Sequence, residues 1–479
     1  MSNKIFKILV IEDEEGVFNF IEEQLKEKCS RINIINARSK DESISILKDK
    51  DNFFDLISLD LQIPTIHGEL DKDPSHGLSV LSEWKSYSKG TPIIILTGTS
   101  TIDMINDFLS LSNNLPIWFD SNNYSTVSHF SKRNLDSYIK NVVAIYNSVI
   151  NLSEIEIDTT ETSIPIEHDR LIRMFTKSQH CTRTVLNKIG GGLSDSTVYS
   201  LLIYNQTGSM SLQTIAKCGP NEDISLDAGN YDIFINRLNP EATPRKIKYI
   251  EHGAKDQAGV FYSLASNYSY SYFKASKEFK NNGTIRAFIK EMTKNWQQTK
   301  NNIRVTIKDI REKILSSPKA AIIFKEFNLD WAEEFESTLV QINSACYHGD
   351  LHGENILVDL EKNCTTLIDY GDINEGAITI DPITLECSFL FHPNGIEDCV
   401  WPSIEHIKKW ENIDDYVQDC PVAEEIYFCR TWAEEIKGSK RELAATLYSY
   451  ALRQLKYPDT NKNIALELLN ASRRIIDNS

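Results

Sequence analysis

Residues Tyr347 to Asp372 read YHGDLHGENILVDLEKNCTTLIDYGD, two apolar β-type segments with three polar side chains, Asp350, Asn355 and Asp369, at fixed offsets around them. Ile356-Leu357-Val358 has the composition of a strand, Glu361-Lys362-Asn363 that of its turn, and Thr366-Leu367-Ile368 that of the returning strand. A hairpin of this kind brings Asn355 and Asp369 close together. The residue types then suit phosphoryl transfer: one carboxylate orients a hydroxyl nucleophile, while an amide and a second carboxylate hold Mg²⁺ against nucleotide phosphates. The plainer alternative for the same letters is a surface hairpin carrying scattered acids.

The form HGDLHxxN followed by IDYGD resembles the catalytic loop and metal-binding strand of the protein-kinase-like superfamily. It is closer to the small-molecule branch of aminoglycoside and choline kinases than to the HRDLxxxN and DFG of protein kinases. The resemblance implies Asp350 as catalytic base, Asn355 and Asp369 as Mg²⁺ ligands, His348 as a support of the loop, and ATP as phosphoryl donor. It also implies a two-lobed α+β domain with a helical large lobe.

A chain of 479 residues is too long for one ordinary core, and two domains are expected. With 41% hydrophobic and 25% charged residues, an ordered core is expected throughout. No stretch approaches 18 apolar residues, and acids stand where a signal peptide would need its hydrophobic segment, so a cytoplasmic protein without membrane attachment is expected. The nine cysteines contain no C-x-x-C pair, which argues against a zinc site or a disulfide framework. A formal charge of −17 repels a phosphate backbone, so direct nucleic-acid binding is not expected.

From Ile8 the chain alternates strand-like and helix-like segments: ILVIE, VFNFIEEQLKEK, INIINA, DESISILKDK, FDLISLDLQI, a helix from Gly77 to Trp84, and TPIIILTG. That alternation predicts a doubly wound, flavodoxin-like parallel sheet whose strand ends carry the site. Glu12 and Asp13 end the first strand, Asp60 the third and Thr97 the fourth. Three acids converging there need a cation, which makes a Mg²⁺ site. ILVIEDE, DLISLDLQIP and IIILTGTS, in that order, resemble the receiver domain of two-component response regulators over residues 1–148. The resemblance implies Asp60 as phosphoacceptor, Glu12 and Asp13 as metal-binding acids, and an upstream sensor histidine kinase. It further implies Thr97, His129 and Lys132 as switch residues, and leaves a homodimer through the receiver open. Arg133 stands where the family has proline, SLSNNLPIWFDSNNYS is an insertion before the fifth strand, and HGELDKDPSH is a second insertion that covers the pocket after Asp60. The alternative is a receiver-shaped domain that binds partners without being phosphorylated.

Residues 149–167, acidic and hydroxyl-rich, read as linker. The kinase-like domain then spans 168–479, with a small lobe to about 267 and a large lobe beyond. Gly190, Gly191, Gly192, Ser194 and Ser196 lie between two strand-like segments, where backbone N–H groups can approach phosphates; a plain hairpin turn is the alternative. Lys217 resembles the nucleotide-phosphate lysine on the following strand, with Asp227 or Asp232 as its partner in place of the usual Glu. Asp381 resembles the Asp that supports the catalytic loop, and the N-cap of the next helix explains it equally well. WAEEFESTLVQI reads as a packed helix, and NYSYSYF as core between the lobes. The expected protein is a receiver controlling an ATP- and Mg²⁺-dependent phosphotransferase with an unidentified small-molecule or protein acceptor. The alternative keeps the kinase-like domain as a nucleotide-binding scaffold without turnover.

Overall fold

The computed structural model describes residues 5–98, 114–120, 122–159, 164–189, 195–238, 243–263, 268, 270–279, 283–396 and 401–479. The chain divides into two compact units, Met1–Ala228 with Lys246–Leu264, and Gly229–Arg245 with Ala265–Ser479.

The first unit begins with β1 (Phe6–Ile11), α1 (Glu15–Lys28), β2 (Ile32–Ala37), α2 (Lys40–Lys48), β3 (Leu56–Leu59), α3 (Pro74–Tyr87), β4 (Ile93–Thr97), β5 (Val127–Ser131) and α4 (Leu135–Asn151). The strands pair in parallel in the order β2-β1-β3-β4-β5. β1, β3 and β4 are apolar along nearly their whole length because helices cover both faces of the sheet. The insertion before β5 contains a small antiparallel hairpin, Asn114–Leu115 with Tyr124–Ser125.

The residues read as linker are partly built into the fold. Glu156–Thr159 forms β6, which pairs in parallel with β7 (Arg183–Lys188) at the edge of a six-stranded mixed sheet. An edge strand exposes one side to water and tolerates charged side chains, so its acidic composition does not betray it. Helix α5 (Ile166–Ser178) follows, then β8 (Thr197–Tyr204), β9 (Met210–Pro220), α6 (Asn221–Phe234), β10 (Arg245–Ile250) and β11 (Gln257–Ser263), in sheet order β10-β11-β9-β8-β7-β6.

The two sheets of the first unit share one core. Tyr138, Val142, Ile145 and Val149 of α4 belong to the same buried apolar cluster as Ile172 and Phe175 of α5, Tyr199 of β8 and Phe261 of β11. Phe175 and Phe261 stack with ring centroids 3.9 Å apart. Polar contacts close the junction at the amino-terminal ends of the parallel strands. Arg170 Nη2 lies 2.5 Å from Asp55 Oδ1, Gly90 N donates to Lys255 O at 2.6 Å, and Gly253 N donates to Gly90 O at 2.7 Å. A Cβ on Gly90 would stand 2.4 Å from Lys255 O. Gly90→Ala should therefore force the two backbones apart and lower the unfolding free energy by roughly 1–3 kcal/mol, read from the urea midpoint. An unchanged midpoint would show that this approach is dispensable.

In the second unit, Leu339–Tyr347 pairs antiparallel with both Asn301–Thr306 and Asn374–Ala377. This corrects the helix expected over WAEEFESTLVQI, which ends at Glu336. The strand takes over because Val340 and Ile342 alternate with exposed neighbours, a period of two that a short apolar run does not advertise. Tyr272 and Phe273 of the NYSYSYF run are buried within this unit. Helices Gly283–Gln297, Ile380–Phe391, Ala423–Ile436, Lys440–Gln454 and Lys462–Asp477 supply most of the rest. Glu386, fully buried, is paired by Arg430 through two hydrogen bonds and by the Trp410 indole at 2.8 Å, so that its charge is compensated.

Candidate functional sites

At the carboxyl end of the parallel sheet, Glu12, Asp13 and Asp60 place carboxylate oxygens within 4.8 Å of one another, the one such group of acids or metal-ligating residues among the described residues. Strand geometry gathers them, because residues that end neighbouring parallel strands emerge at one rim. Lys132, in the turn after β5, sets its Nζ 2.8 Å from Asp60 Oδ2 and 2.8 Å from Glu12 Oε2. Burial pushes the Glu12 carboxyl up to about 7, against the lowering effect of Lys132. The Lys132 ammonium is also penalised by burial, yet Asp60 and Glu12 hold its pKa above the ordinary lysine value. Asp13 Oδ1 is buried without a hydrogen-bond partner, and this orphaned acceptor beside two further carboxylates fits a hard divalent cation. Thr97 ends β4, buried, in register with Ser131 of β5. His129 sits on β5 opposite Ile95, and burial lowers its pKa.

The hairpin read from the opening stretch is present: Ile356–Asp359 pairs with Cys364–Leu367, Ile356 opposite Leu367. Asn355 Nδ2 donates to Asp350 O at 2.8 Å, and Ile368 N donates to Asn355 O at 3.0 Å. The amide nitrogen is thereby committed, which leaves the Asn355 side-chain oxygen to act as a cation ligand. Asp369 has a φ of +66°, a left-handed conformation that costs energy for a non-glycine residue and recurs at functional turns. Gly349 has a φ of +87°, and a Cβ there would stand 2.3 Å from Asp372 O. The loop thus requires its first glycine for backbone reasons.

His348 Nε2 lies 3.1 Å from Ile368 O, and the backbone N–H groups of His348 and Gly349 donate to Asp381 Oδ2 and Oδ1 at 2.9 and 3.0 Å. Asp381 therefore holds the loop rather than capping its own helix, where the N-cap position falls to Thr379. Asn230 adds a support that the sequence did not single out, donating to Tyr370 O and Gly371 O at 3.3 and 3.1 Å.

Arg453 is the other residue the sequence reading missed. Its Nη2 donates to Asp350 Oδ1 at 3.0 Å, and its Nε to Tyr457 Oη at 3.4 Å. Burial works against the charged Asp350, but the Arg453 guanidinium and, more weakly, His352 outweigh it and hold the carboxyl below its usual range. Asp372 moves the other way, raised by burial and by the charges of Asp350 and Asp369. An arginine near the end of a helix buried along nearly its whole length signals a paired charge. It does not signal a partner 103 positions away.

In the first unit, Lys217 Nζ lies 3.0 Å from Asp227 Oδ2, and Tyr262 donates to Asp227 Oδ1. Asp227, not Asp232, is the partner, and the shorter aspartate closes the pair because Asp227 is fully buried against the strand. Ser196 is buried beside Gly219. Gly190, Gly191, Gly192 and Ser194 lie outside the described residues.

Residues 8–115 match the family described as the response regulator receiver domain. No curated protein matches the chain. Among solved structures, the phosphorylated cyanobacterial phytochrome response regulator RcpA is 21% identical, covers 30% of this chain and 96% of its own, with a TM-score of 0.24. Plasmodium vivax ethanolamine kinase is 15% identical over 71% of this chain and 93% of its own, with a TM-score of 0.34. An aminoglycoside-3'-phosphotransferase of type VIII is 14% identical over 64% and 99%, with a TM-score of 0.32. Beyond the residues that match the receiver family, the described chain carries a six-stranded mixed sheet followed by a predominantly helical C-terminal region. No helix among the described residues is long and apolar enough to cross a membrane.

Proposed function

We propose that the protein is a two-component response regulator in which phosphorylation of Asp60 controls an ATP- and Mg²⁺-dependent phosphotransferase acting on a hydroxyl acceptor. The observation that carries the enzymatic part is the loop in which Asp350, Asn355 and Asp369 are fixed to one another through Asp381, His348 and the returning strand. Asp350 orients the acceptor hydroxyl and takes its proton, and Mg²⁺, when bound by Asn355 and Asp369, would neutralise charge on nucleotide phosphates. In the first unit, Lys217, aligned by Asp227, is the residue suited to contact phosphates.

Regulation has a short physical route. Lys132, which touches Asp60, opens the turn into α4, and α4 shares its core with α5 and the sheet that carries Lys217. Beyond β4, α4 supplies this route; residues 99–113 lie outside the described residues. A shift of Lys132 toward a phosphoryl group would be felt at the small lobe through packed side chains rather than across a flexible joint.

The scaffold alternative is favoured by one observation, the Arg453 guanidinium on the carboxylate that would serve as base. The aspartate that stands in place of the usual glutamate does not add to it, because Lys217 and Asp227 are in contact. Acceptor-dependent release of ADP by the full chain, screened with small hydroxyl compounds and proteins, tests the choice. We expect turnover that Asp369→Ala abolishes; Mg²⁺-dependent ATP binding without turnover for any acceptor would establish the scaffold.

A further inference from the structure

The insertion after Asp60 folds back on itself and on the residues that follow β3. Thr65 N donates to Asp71 Oδ1 at 3.1 Å, Ile63 forms a β-bridge with Asp73, and His76 Nδ1 lies 2.9 Å from Ile63 O. This folding delivers Lys72, whose Nζ sits 2.5 Å from Asp13 Oδ2. The acid cluster thus faces two ammonium groups, Lys132 on Asp60 and Glu12, and Lys72 on Asp13.

The two lysines are not equivalent. Lys132 is nearly buried, with its side chain 12% exposed, and it lies 2.8 Å from both Glu12 and Asp60 and 3.5 Å from Glu14; Lys72 holds one acid and is 39% exposed. An ammonium on a flexible, half-exposed stem leaves its carboxylate at little cost, because water replaces the contact. A divalent cation bound among Glu12, Asp13 and Asp60 needs the Asp13 oxygens, and a neighbouring ammonium repels it.

We propose that Lys72 is a tethered cation that competes with Mg²⁺ for Asp13, so that the insertion sets the Mg²⁺ concentration at which the Asp60 site becomes loaded. The inference rests on the receiver metal site and adds to it a device carried by this chain's own insertion. Opening of the insertion, by a partner that docks over the rim to deliver phosphate, would tighten Mg²⁺ binding at the moment it is needed.

The test is calorimetric titration of Mg²⁺ into the full chain without nucleotide, comparing wild type, Lys72→Met, Lys72→Arg, Asp13→Asn and the Lys72→Met/Asp13→Asn double variant. Lys72→Met should lower the Mg²⁺ dissociation constant about 3- to 30-fold, as expected for removing one partly screened charge. Lys72→Arg should stay near wild type, and the Lys72→Met gain should vanish in the Asp13→Asn background. Equal or weaker Mg²⁺ binding by Lys72→Met overturns the proposal, since the lysine would then only support the loop. If Asp13→Asn removes no binding from either protein, the metal site itself is misplaced, and the proposal falls with it.

Discussion

Treated with a small-molecule phosphodonor and Mg²⁺, the protein is expected to take up one phosphoryl group on Asp60, and Asp60→Asn none. The geometry motivates the size of the effect. Asp60 Oδ1 accepts from Gln62 N at 3.2 Å and Oδ2 from Lys132, so the carboxylate is fixed at a rim with two further acids beside it. An acyl phosphate formed there is labile to base, and intact-mass measurement before and after alkaline treatment reads it directly. Equal uptake by the variant would move the site elsewhere; no uptake by either would leave a receiver-shaped binding domain. Because α4 and the small lobe share a core, the same experiment can be followed by a change in ATP affinity, which an independent receiver would not produce.

The second large effect separates chemistry from binding at the Asp350 loop. Asp350→Ala should lower transfer by roughly 10²–10⁴-fold while leaving Mg²⁺-dependent ATP binding nearly intact, because a base and positioning group acts on the transition state. Asp369→Ala should lose the metal-dependent part of nucleotide binding instead. Parallel measurements of transfer and of ATP binding by equilibrium dialysis, each with and without Mg²⁺, distinguish the two. Should Asp350→Ala be silent while Asp369→Ala destroys signalling in cells, nucleotide binding alone would be the function. The Arg453 pair sharpens this comparison: Asp350→Ala also leaves a largely buried guanidinium without its carboxylate, so its thermal midpoint must be recorded beside its activity. These experiments belong on the full chain, since a fragment starting at residue 165 would expose the apolar side of α5 and lose β6.

Much of the architecture was legible because its signals are local. Strand and helix alternation over the first 97 residues, the acids ending β1 and β3, and the offsets of Asp350, Asn355 and Asp369 each lie within one or two consecutive elements. Within such spans the period of two or 3.6 and the turn residues leave few conformations open. Lys132 was reachable as well through the receiver resemblance, in which a lysine follows the fifth strand.

The sequence by itself determined which element ends and turns carry Glu12, Asp13, Asp60, Asp350, Asn355 and Asp369, because a strand end or a hairpin places its own residues whatever surrounds it. Only the tertiary structure decided which distant groups complete them. Arg453 meets Asp350, Lys72 meets Asp13, Asn230 holds the Tyr370 carbonyl, and Asp227 rather than Asp232 pairs with Lys217. Edge strand β6 and the strand Leu339–Tyr347 were decided in the same way, by the neighbours they pair with. Each of these depends on how separate elements pack, and packing selects partners by shape and burial over the whole unit, a property that no window of consecutive residues contains.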